Sequence, residues 1–233
     1  MLHATGVTKR IGGRVVLDRV ALDVGAGEVV ALMGPNGAGK STLLRALAWL
    51  SPPSSGRVTV GGADLPAASP EARSQMGVLL HHTFLYDSLT GLENLVLHAR
   101  LHAVADPKGE AGRWLERVGL TLFAHEPSRT YSRGMQQRLA IARTLIHRPK
   151  VLLLDEPYTG LDLDGEELLS SLIRQFRDGG GAVLMVTHDL ETGAAVSNRF
   201  VVLVRGRVSG ELAASSVSRA ALEELYRRGR AKP

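Results

Sequence analysis

The chain has no cysteine, which excludes disulfides and thiolate metal centres and fits a reducing compartment. Aromatic residues make up only 4% of it, too few for the stacking platforms on which single-strand nucleic-acid binders lay bases, so no nucleic-acid partner is expected. No apolar run approaches the length of a membrane span, and Met1-Leu2-His3-Ala4-Thr5 has none of the makings of a signal peptide. The expectation is a soluble protein, with any membrane role exercised through a partner. Internal repeats and low-complexity tracts are missing too. What is present is 233 residues, 44% hydrophobic, enough to bury the core of one domain or of a domain with a subdomain. The net charge is +5, and Arg227, Arg228, Arg230 and Lys232 gather at the C-terminal end, where a solvated tail is expected.

One stretch organises the rest. Gly34-Pro35-Asn36-Gly37-Ala38-Gly39-Lys40-Ser41-Thr42 fits G-x-x-x-x-G-K-[ST], the phosphate-binding loop. The apolar run 29–33 before it has the pattern of a strand buried on both faces, and 41–49 after it carries leucines at helical spacing. Glycines let backbone N–H groups turn inward around a polyphosphate, and the helix that follows aims its positive end at the same anion. Lys40 then supplies an ammonium for the β- and γ-phosphates, and the Ser41 hydroxyl a ligand for Mg2+.

Along the chain, 2–9 and 15–24 read as strands around a Gly12-Gly13 turn, and 57–60 and 76–80 as further strands. From 89 to about 147 the apolar period is helical, without a convincing strand, which predicts a helical insertion in an α/β domain. Strands are expected again at 151–154 and 182–186, a helix at 168–176, a hairpin at 200–208 and a short helix through Leu222 and Leu225.

Two further constellations carry chemistry. The apolar run 151–154 is a central parallel strand, so Asp155 falls at its carboxyl end, where doubly wound sheets bind ligands and an acid can hold Mg2+. Glu156, one step further out, is placed to take a proton from an attacking water. In Tyr131-Ser132-Arg133-Gly134-Met135-Gln136-Gln137-Arg138, Ser132 is a plausible N-cap and Gly134 leaves the backbone open, a second helix start able to receive phosphate. One nucleotide hardly needs two such ends from one chain; a head-to-tail dimer, with each γ-phosphate between unlike surfaces of two copies, resolves this. Ordinary helix capping explains the stretch taken by itself.

The block 131–138, with Leu139 to Thr144 and then Asp155-Glu156-Pro157-Tyr158-Thr159-Gly160-Leu161-Asp162, resembles the signature and second nucleotide motifs of ABC-transporter ATPases, and the resemblance covers essentially the whole chain. It implies an α/β fold: a RecA-like P-loop ATPase core (1–88 and 150–233, with a small antiparallel β subdomain) and an inserted α-helical subdomain (89–149). It implies ATP and Mg2+ as ligands. Ser132, Arg133 and Gly134 would then meet a partner's nucleotide, Asp155 would serve Mg2+ with Ser41, and Glu156 would be the catalytic base. Gly160-Leu161-Asp162 would be the loop of dimer contact, and His188 the switch histidine that senses γ-phosphate. The chain would work as a homodimer or pseudo-symmetric pair closed by ATP, at the cytoplasmic face of the cell membrane, on integral membrane permease subunits.

Three positions depart from the family pattern. Ile11 stands where an aromatic usually stacks on adenine, and packs on the base without stacking. Arg133-Gly134-Met135 replaces Gly-Gly-Gln and adds a cation near the partner's phosphates. The glutamine loop, 76–86, has histidine at both candidate positions, His81 and His82, and register does not choose between them. A neutral imidazole can ligate Mg2+ or orient water and an imidazolium cannot ligate, so hydrolysis is expected to be more sensitive to acidification.

Within the family, 81–90 with Glu93-Asn94-Leu95, together with 131–138, most resembles haem-exporter ATPases of cytochrome c maturation. Residues 81–98 would then form the groove that grips a cytoplasmic helix of a membrane subunit, with Phe84, Leu85 and Tyr86 as its apolar members. An exporter of a drug, lipid or polysaccharide, and a soluble ATPase of the iron–sulfur assembly type, are the alternatives. A P-loop kinase would lack both the signature helix and His188.

Overall fold

The computed structural model describes residues 1–65 and 70–231. The chain opens on two antiparallel strands, β1 (Leu2–Ile11) and β2 (Arg14–Val24). Strand β3 (Val29–Met33) leads through the glycine-rich loop into helix α1 (Lys40–Leu47). β4 (Ser55–Val60) and β5 (Ala63–Asp64) then return to the first pair, giving an antiparallel sheet in the order β2-β1-β4-β5. β1 runs two residues beyond its expected end and β2 starts one residue early, because Ile11↔Arg14 pairing tightens the turn onto Gly12-Gly13 alone. Gly56 lies inside β4, where a Cβ would stand 2.4 Å from the Gly6 carbonyl oxygen.

After the short helix α2 (Pro70–Ser74) and strand β6 (Met76–Leu79), three helices follow before the next strand: α3 (Gly91–Leu101), α4 (Pro107–Arg117) and α5 (Arg133–Leu145). The second half alternates: β7 (Val151–Asp155), α6 (Leu163–Asp178), β8 (Ala182–Val186), α7 (Leu190–Val196), β9 (Arg199–Val204), β10 (Arg207–Ala213) and α8 (Arg219–Ala231). The main sheet runs β10-β9-β3-β8-β7-β6, parallel except for the β9–β10 hairpin. The expected α/β class is present, with its antiparallel sheet and helical insertion.

β3, β7 and β8 are buried at every position, as strands covered on both faces must be. Leucines of α1 pack under the main sheet with the inner face of the antiparallel sheet, while Leu95, Trp114, Leu139 and Ile146 tie the three inserted helices to its other face.

The basic C-terminal end is a helix rather than a tail, and Arg227, Arg228 and Arg230 stay exposed on it as expected. Leu222 and Leu225 are buried against Phe200, Val202 and Val204, and Arg227 and Arg228 pair with Glu224 within α8. Two leucines one turn apart give this segment an apolar face, and Glu224 offsets its charge. Lys232 lies outside the described residues. Helix α6 starts five residues before the expected 168, since Asp162 caps it by accepting from the Gly165 N–H at 3.0 Å and acidic residues fill its first turn.

A buried asparagine holds the loop between β6 and α3. Asn94 is 3% exposed; its Oδ1 accepts from the Tyr86 N–H at 2.8 Å, and its amide donates to the carbonyls of Tyr86, Leu89 and Thr90 at 3.0–3.2 Å. The neighbouring Thr90–Glu93 capping box is solvent-exposed. Asn94→Ala is therefore expected to cost about 2–3 kcal/mol, because it strands buried backbone groups, whereas Thr90→Ala should cost about 1 kcal/mol. Urea denaturation of both variants measures the difference.

Candidate nucleotide site

The register of the main sheet brings the chemistry to one edge. Leu32, Val186 and Asp155 stand in one row across β3, β8 and β7, so the loop after β3 and the acid ending β7 emerge side by side. The Ser41 hydroxyl on the first turn of α1 donates to Asp155 Oδ1 at 3.2 Å. Lys40 donates to the carbonyl oxygens of Gly34 at 2.7 Å and Pro35 at 3.2 Å, which folds its ammonium over the loop. Burial pulls the Lys40 pKa below the usual lysine value, against the raising pull of Glu156 and Asp155.

Glu156 has a backbone φ of 51°, uncommon for a non-glycine residue, and its N–H donates to Val186 at 3.0 Å. That turn aims its carboxylate along the sheet edge, where His188 Nδ1–H donates to Oε2 at 2.7 Å. Two cavities of about 370 Å3 meet at Glu156. One is lined by Asn36, Gly37, Ala38, Gly39, Lys40, Ser41, Thr42 and Asp155. The other is lined by His81, His82, Arg133, Gln136, Gln137 and Thr159. His81 and His82 sit edge to face, 5.7 Å between centroids, and both are exposed, so the structure leaves both open to the same cavity. A larger cavity of about 540 Å3, between Trp114, Leu172 and Phe176, lies at the amino ends of β7 and β8, away from the edge where open α/β sheets place ligands, and no carboxylate lines it.

Ser132 caps α5 as expected, accepting from the Met135 N–H at 3.2 Å, and is exposed; Gly134 is half-buried and faces the Gly160 carbonyl. Gln137 is buried and donates to the Pro157 carbonyl at 2.7 Å, locking this helix to the segment after Asp155. Asp162 is exposed at the start of α6, and Ile11 is 52% exposed at the end of β1.

The residues fit a magnesium polyphosphate. Gly37, with φ 77°, has open space where a Cβ would sit, so the loop presents backbone rather than side chain to the first cavity. The Ser41 hydroxyl and the Asp155 carboxylate offer two hard oxygens side by side, the donor type that Mg2+ takes.

Residues 17–159 match the family described as ABC transporter. The chain belongs to this ATP-binding cassette family. Its relatives include an ABC transporter ATP-binding protein of Bacillus subtilis (strain 168), 38% identical over 214 residues, spanning 91% of this chain and 69% of that protein. The daunorubicin resistance ATP-binding protein DrrA3 of Streptomyces coeruleorubidus is 39% identical over 208 residues, spanning 88% and 66%. The cassette thus spans about two thirds of the length of these relatives; others at 31–39% identity are named for linearmycin resistance, Fe3+ import, phosphonate import and Nod factor export. A solved structure of an ATP-binding subunit of an ABC transporter matches with a TM-score of 0.88 and 28% identity over 99% of each chain. The dimeric post-hydrolysis cassette MJ0796, bound to ADP and Pi, matches with a TM-score of 0.82 and 29% identity over 92% of this chain and 99% of that one. The chain is an ABC ATPase. Among its described residues no helix is long and apolar enough to cross a membrane.

The cassette's loop has a support that motif reading missed. The β9–β10 turn lies beneath it: Gly206 N–H donates to the Ala38 carbonyl at 2.9 Å, and Asp18 N–H donates to the Gly206 carbonyl at 2.9 Å. Gly206 has φ 75°, and a Cβ there would stand 2.2 Å from the Val16 carbonyl oxygen. Nothing local marks this glycine, because the turn meets the loop only in the folded sheet. Gly206→Ala is expected to destabilise by about 2–3 kcal/mol and to weaken Mg-ATP binding. Gly62→Ala, with φ 87° but open space around it, should cost about 1 kcal/mol and leave affinity unchanged; urea denaturation and nucleotide titration read both.

Proposed function

We propose that the chain is the ATP-hydrolysing subunit of a membrane exporter, acting as a dimer at the cytoplasmic face of the membrane on separate integral membrane subunits. The observation that carries the hydrolytic part is the Glu156 carboxylate, held by His188 beside the Ser41–Asp155 pair. In this reading the loop N–H groups and Lys40 bind the β- and γ-phosphates. Ser41 and Asp155 would hold Mg2+, which would supply charge neutralisation at the phosphates when bound. Glu156 takes the proton of the attacking water. His188 orients that carboxylate through Nδ1 and keeps Nε2 for the terminal phosphate. His81 or His82, across the same cavity, fills the place of the glutamine.

Ser132 and Gly134 begin α5 without burying its first turn, so a second copy can offer its nucleotide there. ATP then bridges unlike surfaces of two copies, and hydrolysis removes the bridge. Asp162, next to Gly160, and Arg133 lie on this face, and Ile11 supports the adenine. The core (1–88 and 150–233) and the helical subdomain (89–149) carry the two halves of each composite site.

Phe84 and Tyr86, 58% and 59% exposed, support docking to a membrane subunit, since exposed aromatics are costly in a chain that has few. Phe84 has φ 52°, and the Asn94 clasp holds the loop that presents both rings. The resistance and Nod-factor-export relatives favour an exporter. Haem is the finer assignment, resting on the likeness of 81–90 and 131–138 to haem-exporter ATPases; none of the relatives described above is named for haem. Affinity purification of the tagged chain from its own membranes tests the reading: an integral membrane protein should be recovered with wild type and lost with Phe84→Ala/Tyr86→Ala. Recovery with soluble scaffold proteins instead would favour an iron–sulfur assembly role.

A further inference from the structure

Three histidines meet outside the nucleotide site. His98 and His102 stand one turn apart at the end of α3, and His147 follows the end of α5. One ring nitrogen from each lies within 4.8 Å of the other two. His102 stacks on His147 at 3.9 Å between centroids, and His98 lies 4.6 Å from His102 and 5.5 Å from His147.

The hydrogen bonding of His147 assigns its tautomer. Its Nε2–H donates to the Met76 carbonyl at 3.1 Å, so in the neutral ring Nδ1 carries a bare lone pair. That Nδ1 is buried and has no hydrogen-bond partner. A buried acceptor without a partner is costly, and a ring N–H anchored on a backbone carbonyl with the other nitrogen free is how metal-binding histidines are held.

We propose that His98, His102 and His147 form a binding site for a divalent transition-metal ion of the Zn2+ class. Three imidazoles suit zinc, copper or nickel rather than the oxygen-seeking Mg2+, so the site does not compete with the nucleotide's metal. Zinc–nitrogen bonds of about 2.0–2.1 Å would draw the nitrogens to about 3.4 Å apart. That closes the triad by small rotations of half-buried side chains and separates the His102–His147 stack. The fourth ligand is water or an exogenous group on the exposed side. Arg143, which donates to the Val78 carbonyl at 3.4 Å, lies near all three rings and opposes a dication, which limits affinity. The bound ion would staple α3 to the end of α5 and, through the Met76 carbonyl, to the strand that leads into His81 and His82.

The test is a Zn2+ titration of the full, chelator-stripped chain against a chromophoric zinc indicator, in excess Mg2+. One Zn2+ per chain is expected, with affinity lowered at least about tenfold in His98→Gln and in His102→Gln, a loss that even an outer partner of a metal ligand can cause. His3→Gln, at an exposed histidine, should bind as wild type does. Co2+ in place of Zn2+ should give the visible absorption of a four-coordinate site with three nitrogen ligands. Absence of stoichiometric binding by wild type, or equal affinity in wild type and both triad variants, would overturn the proposal.

Discussion

The 3.2 Å hydrogen bond from Ser41 to Asp155 is the contact on which the rest of the molecule depends. It joins residues 114 positions apart, and it exists because three wholly buried strands lock their register. A one-residue slip of β7 would turn Asp155 to the other face and leave a carboxylate buried without a partner. The apolar strands thus hold a polar pair at their edge that neither local segment could hold alone.

Around that pair the other elements act as buttresses. The β9–β10 turn supports the phosphate loop from below, and Gln137 ties the start of α5 to the segment after β7. Glu156 joins the two cavities through a backbone conformation that only the surrounding sheet edge sustains. One cavity is lined by the phosphate loop and Asp155, the other by the start of α5 and the loop after β6.

Much of this was legible in the sequence for physical reasons. The runs 29–33, 151–154 and 182–186 are apolar without interruption, which only doubly covered strands tolerate, and Asp155 and Glu156 follow directly on the second of them. The signature stretch announced its helix through Ser132. What stayed hidden depends on contacts between distant segments. Gly206 is one turn glycine among many until the sheet brings it under Ala38. Asn94 reads as a polar residue on an amphipathic helix until the loop from Tyr86 wraps over it. At the C-terminal end Leu222 and Leu225 marked the helix, but its seat on Phe200, Val202 and Val204 comes from strand β9 and could not be read locally. Similarly, His98, His102 and His147 are unremarkable in sequence; the packing of α3 against α5 makes them neighbours.

The central claim is that each nucleotide is held between the phosphate loop of one copy and the start of α5 of another. The absence of native cysteine makes a direct measurement possible. Asn36→Cys and Ser132→Cys, both at exposed positions, are placed in separate Glu156→Gln chains, which are mixed and treated with a short bis-maleimide. The account predicts a cross-link between the two chains with Mg-ATP and none with Mg-ADP. Cross-linking indifferent to nucleotide, or none under saturating Mg-ATP, would contradict it.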